Sequence, residues 1–220
     1  MRQNLNNKNS NMNIKSLSAV LIMLAALTIM AACGMRDRQA EGFTEPELAL
    51  IHGSDSIMRV LTIDAPSDLA VLRSLSYDLS DSALLSDDFK RLAELMVATV
   101  THPSQDGVGI AGPQVGLNRR VVAVQRFDKE GEPFEVYANV RIVWMSESLD
   151  YGPEGCLSVP DRRGDVLRSQ KIVIEHADLA ALNQDIYHIP MVRDTVSGFT
   201  AVIFQHEIDH LEGVPYIDRL

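Results

Sequence analysis

The chain has 220 residues, a net charge of −10 at neutral pH, 46% hydrophobic residues and two cysteines. That length suffices for one domain with its own core. The acidic excess argues against nucleic acid as a partner, and so few cysteines leave the fold to packing, not to a disulfide framework.

Residues 1–12 are rich in asparagine and carry no core-forming pattern. From Leu17 to Ala32 the chain is apolar apart from Ser18 and Thr28. That is short for a membrane-spanning helix, which needs about 20 apolar residues, and suits the hydrophobic stretch of a signal segment. The run ends Met30-Ala31-Ala32-Cys33, which resembles a bacterial lipoprotein cleavage box. Residues 1–32 are then a signal peptide and Cys33 the lipidated mature N-terminus; the alternative is an uncleaved anchor helix. Either way the protein is expected to be membrane-anchored in a bacterial cell envelope, with its domain outside the cytoplasm. Removing residues 1–32 takes away Arg2, Lys8 and Lys15 and no acid, so 17 basic residues face 30 acidic ones, a charge of −13. Direct adhesion to anionic lipid is disfavoured at that charge. Residues 33–56, with Gly34, Gly42, Pro46 and Gly53, read as a flexible tether, and residues 57–220 as one folded domain.

An amphipathic helix is expected from Asp87, with Phe89, Leu92, Leu95, Met96 and Val100 on one side and two acids in its first turn. It leads into Gly107-Val108-Gly109-Ile110-Ala111-Gly112-Pro113-Gln114, where glycines allow backbone to approach a ligand closely. The segment lacks the Lys-Ser/Thr of a phosphate loop, and alone it reads as a turn. Arg120 to Val124, Val136 to Met145 and Lys171 to Glu175 are rich in Val and Ile and read as strands. Between the last two, Glu154-Gly155-Cys156-Leu157-Ser158-Val159-Pro160 reads as a turn entering an extended segment. A second helix carries Phe199, Val202, Ile203, His206 and His210 on one stripe. Asp194, Thr195 or Ser197 can cap it, and Gly213 with Pro215 stops it.

That helix contains Gln205-His206-Glu207-Ile208-Asp209-His210. Histidines at i and i+4 share one face and can reach a single metal ion, and Glu207 beside them can take a proton from a water held there. With six His and twelve Glu in the chain, about 0.01 matches to H-E-x-x-H are expected by chance. Two core histidines satisfied by ordinary hydrogen bonds are the competing reading; burying such a pair with a glutamate and no ligand is costly. A tetrahedral catalytic site needs a third protein ligand. Cys156 is a candidate, with a plain buried thiol or a disulfide to Cys33 as alternatives. Gln205 and Asp209 are placed to orient the histidines or to be ordinary polar neighbours.

The ordered motifs G-V-G-I-A-G-P-Q, E-G-C-L-S and Q-H-E-I-D-H resemble the three signatures of the peptide deformylases. The resemblance runs from about Ile57 to the closing Tyr216-Ile217-Asp218-Arg219-Leu220. It implies an α+β fold whose antiparallel sheets wrap the helix bearing the histidines. It further implies that Cys156, His206 and His210 hold one divalent metal, Fe2+ first with Zn2+ or Ni2+ able to replace it. Glu207 is the general base and then acid. The Gln114 amide and the Leu157 backbone N–H donate to the oxyanion, Gly109 binds the substrate backbone with Arg163 beside it, and Glu154 pairs with Arg168. The implied reaction is hydrolysis of the formyl group from an N-formyl-methionyl peptide.

The sequence departs from that pattern in places. The family's Ala-Ala is Ala111-Gly112 here, and losing the methyl is expected to loosen the loop that positions Gln114. Its Asn-Pro is Asn139-Val140, and its longer C-terminal helix is not in this sequence. Beside an exported deformylase, two other readings stay open. One is a zincin-like peptidase built on H-E-x-x-H, against which the Cys ligand counts. The other is a lipoprotein that binds formyl peptides without turnover.

Overall fold

The computed structural model describes residues 42–183 and 188–220; Cys33 and the run Leu17–Ala32 lie outside them. Among the described residues, helices α1 (Glu45–Gly53), α2 (Pro66–Leu72), α3 (Asp81–Leu84) and α4 (Asp87–Val100) come first. Eight strands follow: β1 (Gly109–Ala111), β2 (Val121–Gln125), β3 (Phe134–Ala138), β4 (Arg141–Met145), β5 (Leu149–Cys156), β6 (Val159–Ser169), β7 (Lys171–Ala177) and β8 (Met191–Ser197). Helix α5 (Gly198–Leu211) and a 3-10 turn at Tyr216–Arg219 close the order. Every named strand pairing is antiparallel, in sheets β1-β2-β3, β4-β7-β8 and the hairpin β5-β6. This is the expected α+β arrangement of sheets around the H-E-x-x-H helix.

Local chemistry explains the elements that matter for the site. Ser86 Oγ accepts from Phe89 N–H at 3.2 Å and caps α4, which starts at the expected Asp87, and the predicted apolar stripe is buried. Strand β2 is an unbroken apolar run because both of its faces are covered: Val121 and Ala123 join the α4 side, Val122 and Val124 the α5 side. Helix α5 is buried at every residue from Ile203 to Leu211, so its polar residues in that stretch depend on protein partners. Arg126, 2% exposed, lies over the rings of Tyr137 and Phe204 at 5.9 and 5.8 Å and bonds Asp128 and Asp194 at 2.8 Å, tying the helix to two sheets.

Several expectations are corrected. The single strand expected over Val136–Met145 is two strands in different sheets. Asn139 breaks it at φ 53°, its side chain bonding Leu79 N and O at 2.7 and 2.9 Å. Strand β8 occupies residues read as candidate caps, of which only Ser197 sits at the N-cap. Phe199 is 55% exposed, at 5.2 Å from the Phe127 ring, because it starts the helix at the surface. Residues 45–53 of the expected tether are helical. Thr44 N–H bonds Glu47 Oε2 at 2.7 Å, Pro46 suits a first turn, and Ile51 is fully buried.

Candidate active site

Strand β1, the β5-β6 hairpin and helix α5 converge on a cavity of about 790 Å3 lined by Gly109, Gln114, Leu157, Arg163, His206 and Glu207, among others. Cys156 also lines it, and His210 is fully buried. One donor atom each from Cys156, His206 and His210 lies within 4.8 Å of the other two, and Cys156 Sγ is 3.1 Å from His210 Nε2. Among the described residues this is the one such grouping of His, Cys, Asp and Glu. Among the described residues Cys156 has no disulfide partner.

The backbone brings the three donors together. Cys156 ends β5, where the ladder shifts from Gly155↔Arg163 to Cys156↔Val159 and leaves Pro160 to Arg162 as a bulge. The helix supplies both histidines from one face, their rings 5.1 Å apart.

Each partner fixes an orientation. His206 Nδ1 donates to Glu154 Oε2 at 2.8 Å, since a carboxylate can only accept, and this leaves Nε2 for the cluster. Burial by itself would raise the Glu154 carboxyl, but bonds from His206 and from Arg168 (2.7 and 3.0 Å) outweigh it and bring it down to about 2. Burial pushes Glu207 up to about 7 and holds His210 well below its usual value, with His206 adding to the latter. Glu207 Oε2 and His210 Nδ1 are buried without a partner among the described residues.

Glycine makes room at two points. A Cβ on Gly109 would lie 2.5 Å from Glu207 Oε1 and 2.9 Å from Ile203 Cγ2, so only glycine lets that carboxyl rest against β1. A Cβ on Gly112 would lie 2.7 Å from both Leu117 O and Arg119 O. The expected loosening at Gly112 is therefore corrected: the turn closes too tightly for a methyl. It carries Gln114, 1% exposed, whose Oε1 accepts from Ala111 N–H at 2.8 Å. Nε2 is thereby turned toward Ser158 Oγ (3.2 Å) and Cys156 Sγ (3.5 Å).

Of the predicted site residues, the structure brings together Gly109, Gln114, Cys156, Leu157, Arg163, His206, Glu207 and His210. Gln205 instead pins β6, accepting from Ser169 N–H at 3.0 Å and donating to Ser169 O at 2.8 Å. Sequence reasoning missed Ser158, Tyr216 and Arg219. Ser158 was visible only as part of E-G-C-L-S, and the other two as part of the closing Tyr216–Leu220 run.

The model of the polypeptide deformylase family matches residues 57–220. A peptide deformylase of Leptospira biflexa is 36% identical over 172 residues, covering 75% of this chain and 88% of that protein. A Met-Ala-Ser-bound crystal structure of a class I type b peptide deformylase from Acinetobacter baumannii matches with a TM-score of 0.63 and 32% identity, over 74% of this chain and 98% of that one. The peptide deformylase of Thermotoga maritima matches with a TM-score of 0.62 and 28% identity, over 76% of this chain and 99% of that one.

Proposed function

The chain belongs to the polypeptide deformylase family, and from that premise we propose how its own residues remove the N-formyl group from a peptide's terminal methionine. As a member it is a hydrolase that releases formate and leaves a free amine. The observation that carries the assignment of roles is the convergence of three donor atoms, the Glu207 carboxyl and the Gln114 amide at one cavity.

The family is metal-dependent, and a thiol with two imidazoles fits a divalent ion of borderline softness. The unpartnered buried Glu207 Oε2 fits a reaction centre better than a closed core. Cys156, His206 and His210 would hold the ion, Fe2+ in our assignment, with Zn2+ or Ni2+ able to replace it. Bound there, such an ion supplies Lewis acidity and brings the pKa of a water to about 7.

The remaining steps belong to the side chains. The peptide lies along Gly109 with Arg163 at the mouth, as the Met-Ala-Ser complex of the Acinetobacter relative encourages. Gln114 Nε2 and the Leu157 N–H donate to the formyl oxygen as it gains negative charge, a term that typically contributes a factor of about 10²–10³ per donor. Glu207 takes the proton of the attacking water and delivers it to the departing nitrogen as the C–N bond breaks. Burial that raises its pKa to about 7 suits it to both transfers. The atoms balance: formamide and water give formate and the protonated amine.

The test is formate release from a formyl-Met tripeptide by anaerobically purified, Fe2+-loaded protein, beside Glu207→Ala. Turnover absent from the variant supports these roles. Equal turnover in the variant removes Glu207 from the mechanism, and cleavage of unformylated peptides would favour the peptidase reading.

We further propose that the enzyme is exported and anchored through Cys33, acting on formylated peptides outside the cytoplasm. The support is the apolar run Leu17–Ala32 ahead of Met30-Ala31-Ala32-Cys33. Among the described residues no helix is long and apolar enough to cross a membrane. Expressing the full chain and its Cys33→Ser variant in a bacterium tests this. A lipid-modified mature terminus lost in the variant supports it, and an unmodified cytoplasmic product overturns it.

A further inference from the structure

Residues Tyr216 to Leu220 take no part in the chemistry above and none of them lines the cavity, yet Tyr216 touches the ligand set. Tyr216 is 1% exposed, and its ring stacks on that of His206 at 5.8 Å and 26°. Its hydroxyl is buried with no partner among the described residues, so the contribution comes from the ring face. Three residues on, Arg219 grips Asp209 with both branches, Nε to Oδ2 at 3.0 Å and Nη2 to Oδ1 at 2.5 Å. Asp209 Oδ2 also accepts from Arg168 Nη1 at 2.6 Å. Arg168 holds Glu154 through Nε and Nη2, and Glu154 holds His206 Nδ1. The segment is itself fixed: Asp218 pairs with Arg73, and Leu220 packs on Gly164 of β6.

From this geometry we infer that Tyr216 and Arg219 are positioning residues for the metal ligand His206. Tyr216 acts directly on the ring, and Arg219 through Asp209, Arg168 and Glu154. This rests on the metal assignment above. The physical reason is the length of the relay. Arg168 must neutralise two carboxylates at once, and both are buried. Without Arg219, Asp209 competes with Glu154 for the same guanidinium, and the bond that sets the His206 tautomer loosens. Alternating charges in a buried network hold one another in place, so losing an end member is felt at the other end. The Arg219 side chain is 46% exposed, which separates this role from core packing: its removal opens no cavity.

The experiment uses the full chain loaded with Co2+, in wild type, Arg219→Ala, Arg219→Lys, Tyr216→Phe and Tyr216→Leu. Metal loss to excess chelator is followed through the cobalt absorption bands, with kcat and KM for a formyl peptide and the melting temperature of the metal-free protein. We expect Arg219→Ala to lose cobalt about 10-fold faster, at the lower end of what outer partners of metal ligands supply. Its kcat should fall by a similar factor with KM within twofold, and Arg219→Lys should recover part of both. Tyr216→Phe should match wild type, while Tyr216→Leu should lose cobalt faster. The inference is overturned if Arg219→Ala keeps the wild-type rate of cobalt loss. It is equally overturned if faster loss merely follows a matching fall in metal-free stability, or if the effect lies in KM alone. A wild-type chain that takes up no cobalt overturns the metal assignment and this inference with it, whereas normal cobalt uptake without deformylation leaves the positioning roles measurable by metal loss.

Discussion

Gly109→Ala is a sharp perturbation of the proposed machinery because it adds one methyl and changes no charge. The new Cβ would lie 2.5 Å from Glu207 Oε1, 2.9 Å from Glu207 Cδ and 2.9 Å from Ile203 Cγ2. Ordinary contact is about 3.5–4.0 Å, so the Glu207 carboxyl has to retreat by about 1 Å. Ile203 is 3% exposed and Glu207 4%, and both line the cavity, so the carboxyl can retreat only into the cavity, away from its place against β1. Overpacking of this kind costs about 1–3 kcal/mol, and each kcal/mol lowers the melting temperature of a domain this size by about 2–4 °C. A catalytic group misplaced by about 1 Å costs about 10²-fold in rate. The expected result is a kcat about 100-fold lower with a melting temperature lower by several degrees, measured by formate release and thermal unfolding. Gly152→Ala is the matched control: nothing lies within 4 Å of its added Cβ, and both quantities should stay near wild type. A Gly109→Ala enzyme that keeps kcat within threefold would refute the placement of Glu207 against β1 as a catalytic requirement.

Glu154→Gln keeps the shape of the residue but removes the negative charge that holds His206 and Arg168, so metal affinity should fall about 10–100-fold in a competition titration. An unchanged affinity would show that Glu154 serves only the hairpin. Arg126 holds the Asp128 and Glu135 carboxyls below their ordinary values: its bond is the main cause at Asp128, while at Glu135 it assists Lys129 and Tyr137 against burial. Folded-state values lowered in this way contribute stability that is present above about pH 4 and lost as pH falls through the folded values. Arg126→Met should therefore cost about 2–3 kcal/mol by urea unfolding at pH 7, at or below the lower end for breaking a buried pair because the carboxylates are a quarter to a third exposed. The gap between variant and wild type should narrow by pH 3; a constant gap across that range would mean that Arg126 acts by packing on Tyr137 and Phe204, not by charge.

What the chain says by itself is unevenly distributed, for a physical reason. Where local geometry binds residues into one unit, the sequence suffices. His206 and His210 share a face because a helix repeats every 3.6 residues, and the stripe of α4 and the stop at Gly213 follow from the same local rules. The placing of Cys156 beside the two histidines was not of this kind. Fifty residues of chain separate it from His206, and only the resemblance of E-G-C-L-S singled it out before the fold placed Sγ at 3.1 Å from His210. The direction of the Gln114 amide, the need for glycine at 109 and 112, and the division of Val136–Met145 between two sheets depend on neighbours distant in sequence. So does the chain of charges from Arg219 to His206, whose members come from β5, β6, α5 and the closing 3-10 turn. Sequence determined which chemistry the chain carries, since residue types and short spacings are local. Tertiary structure alone decided which atoms face each other, because burial, tautomer and clearance are set by contacts that no single stretch of the chain contains.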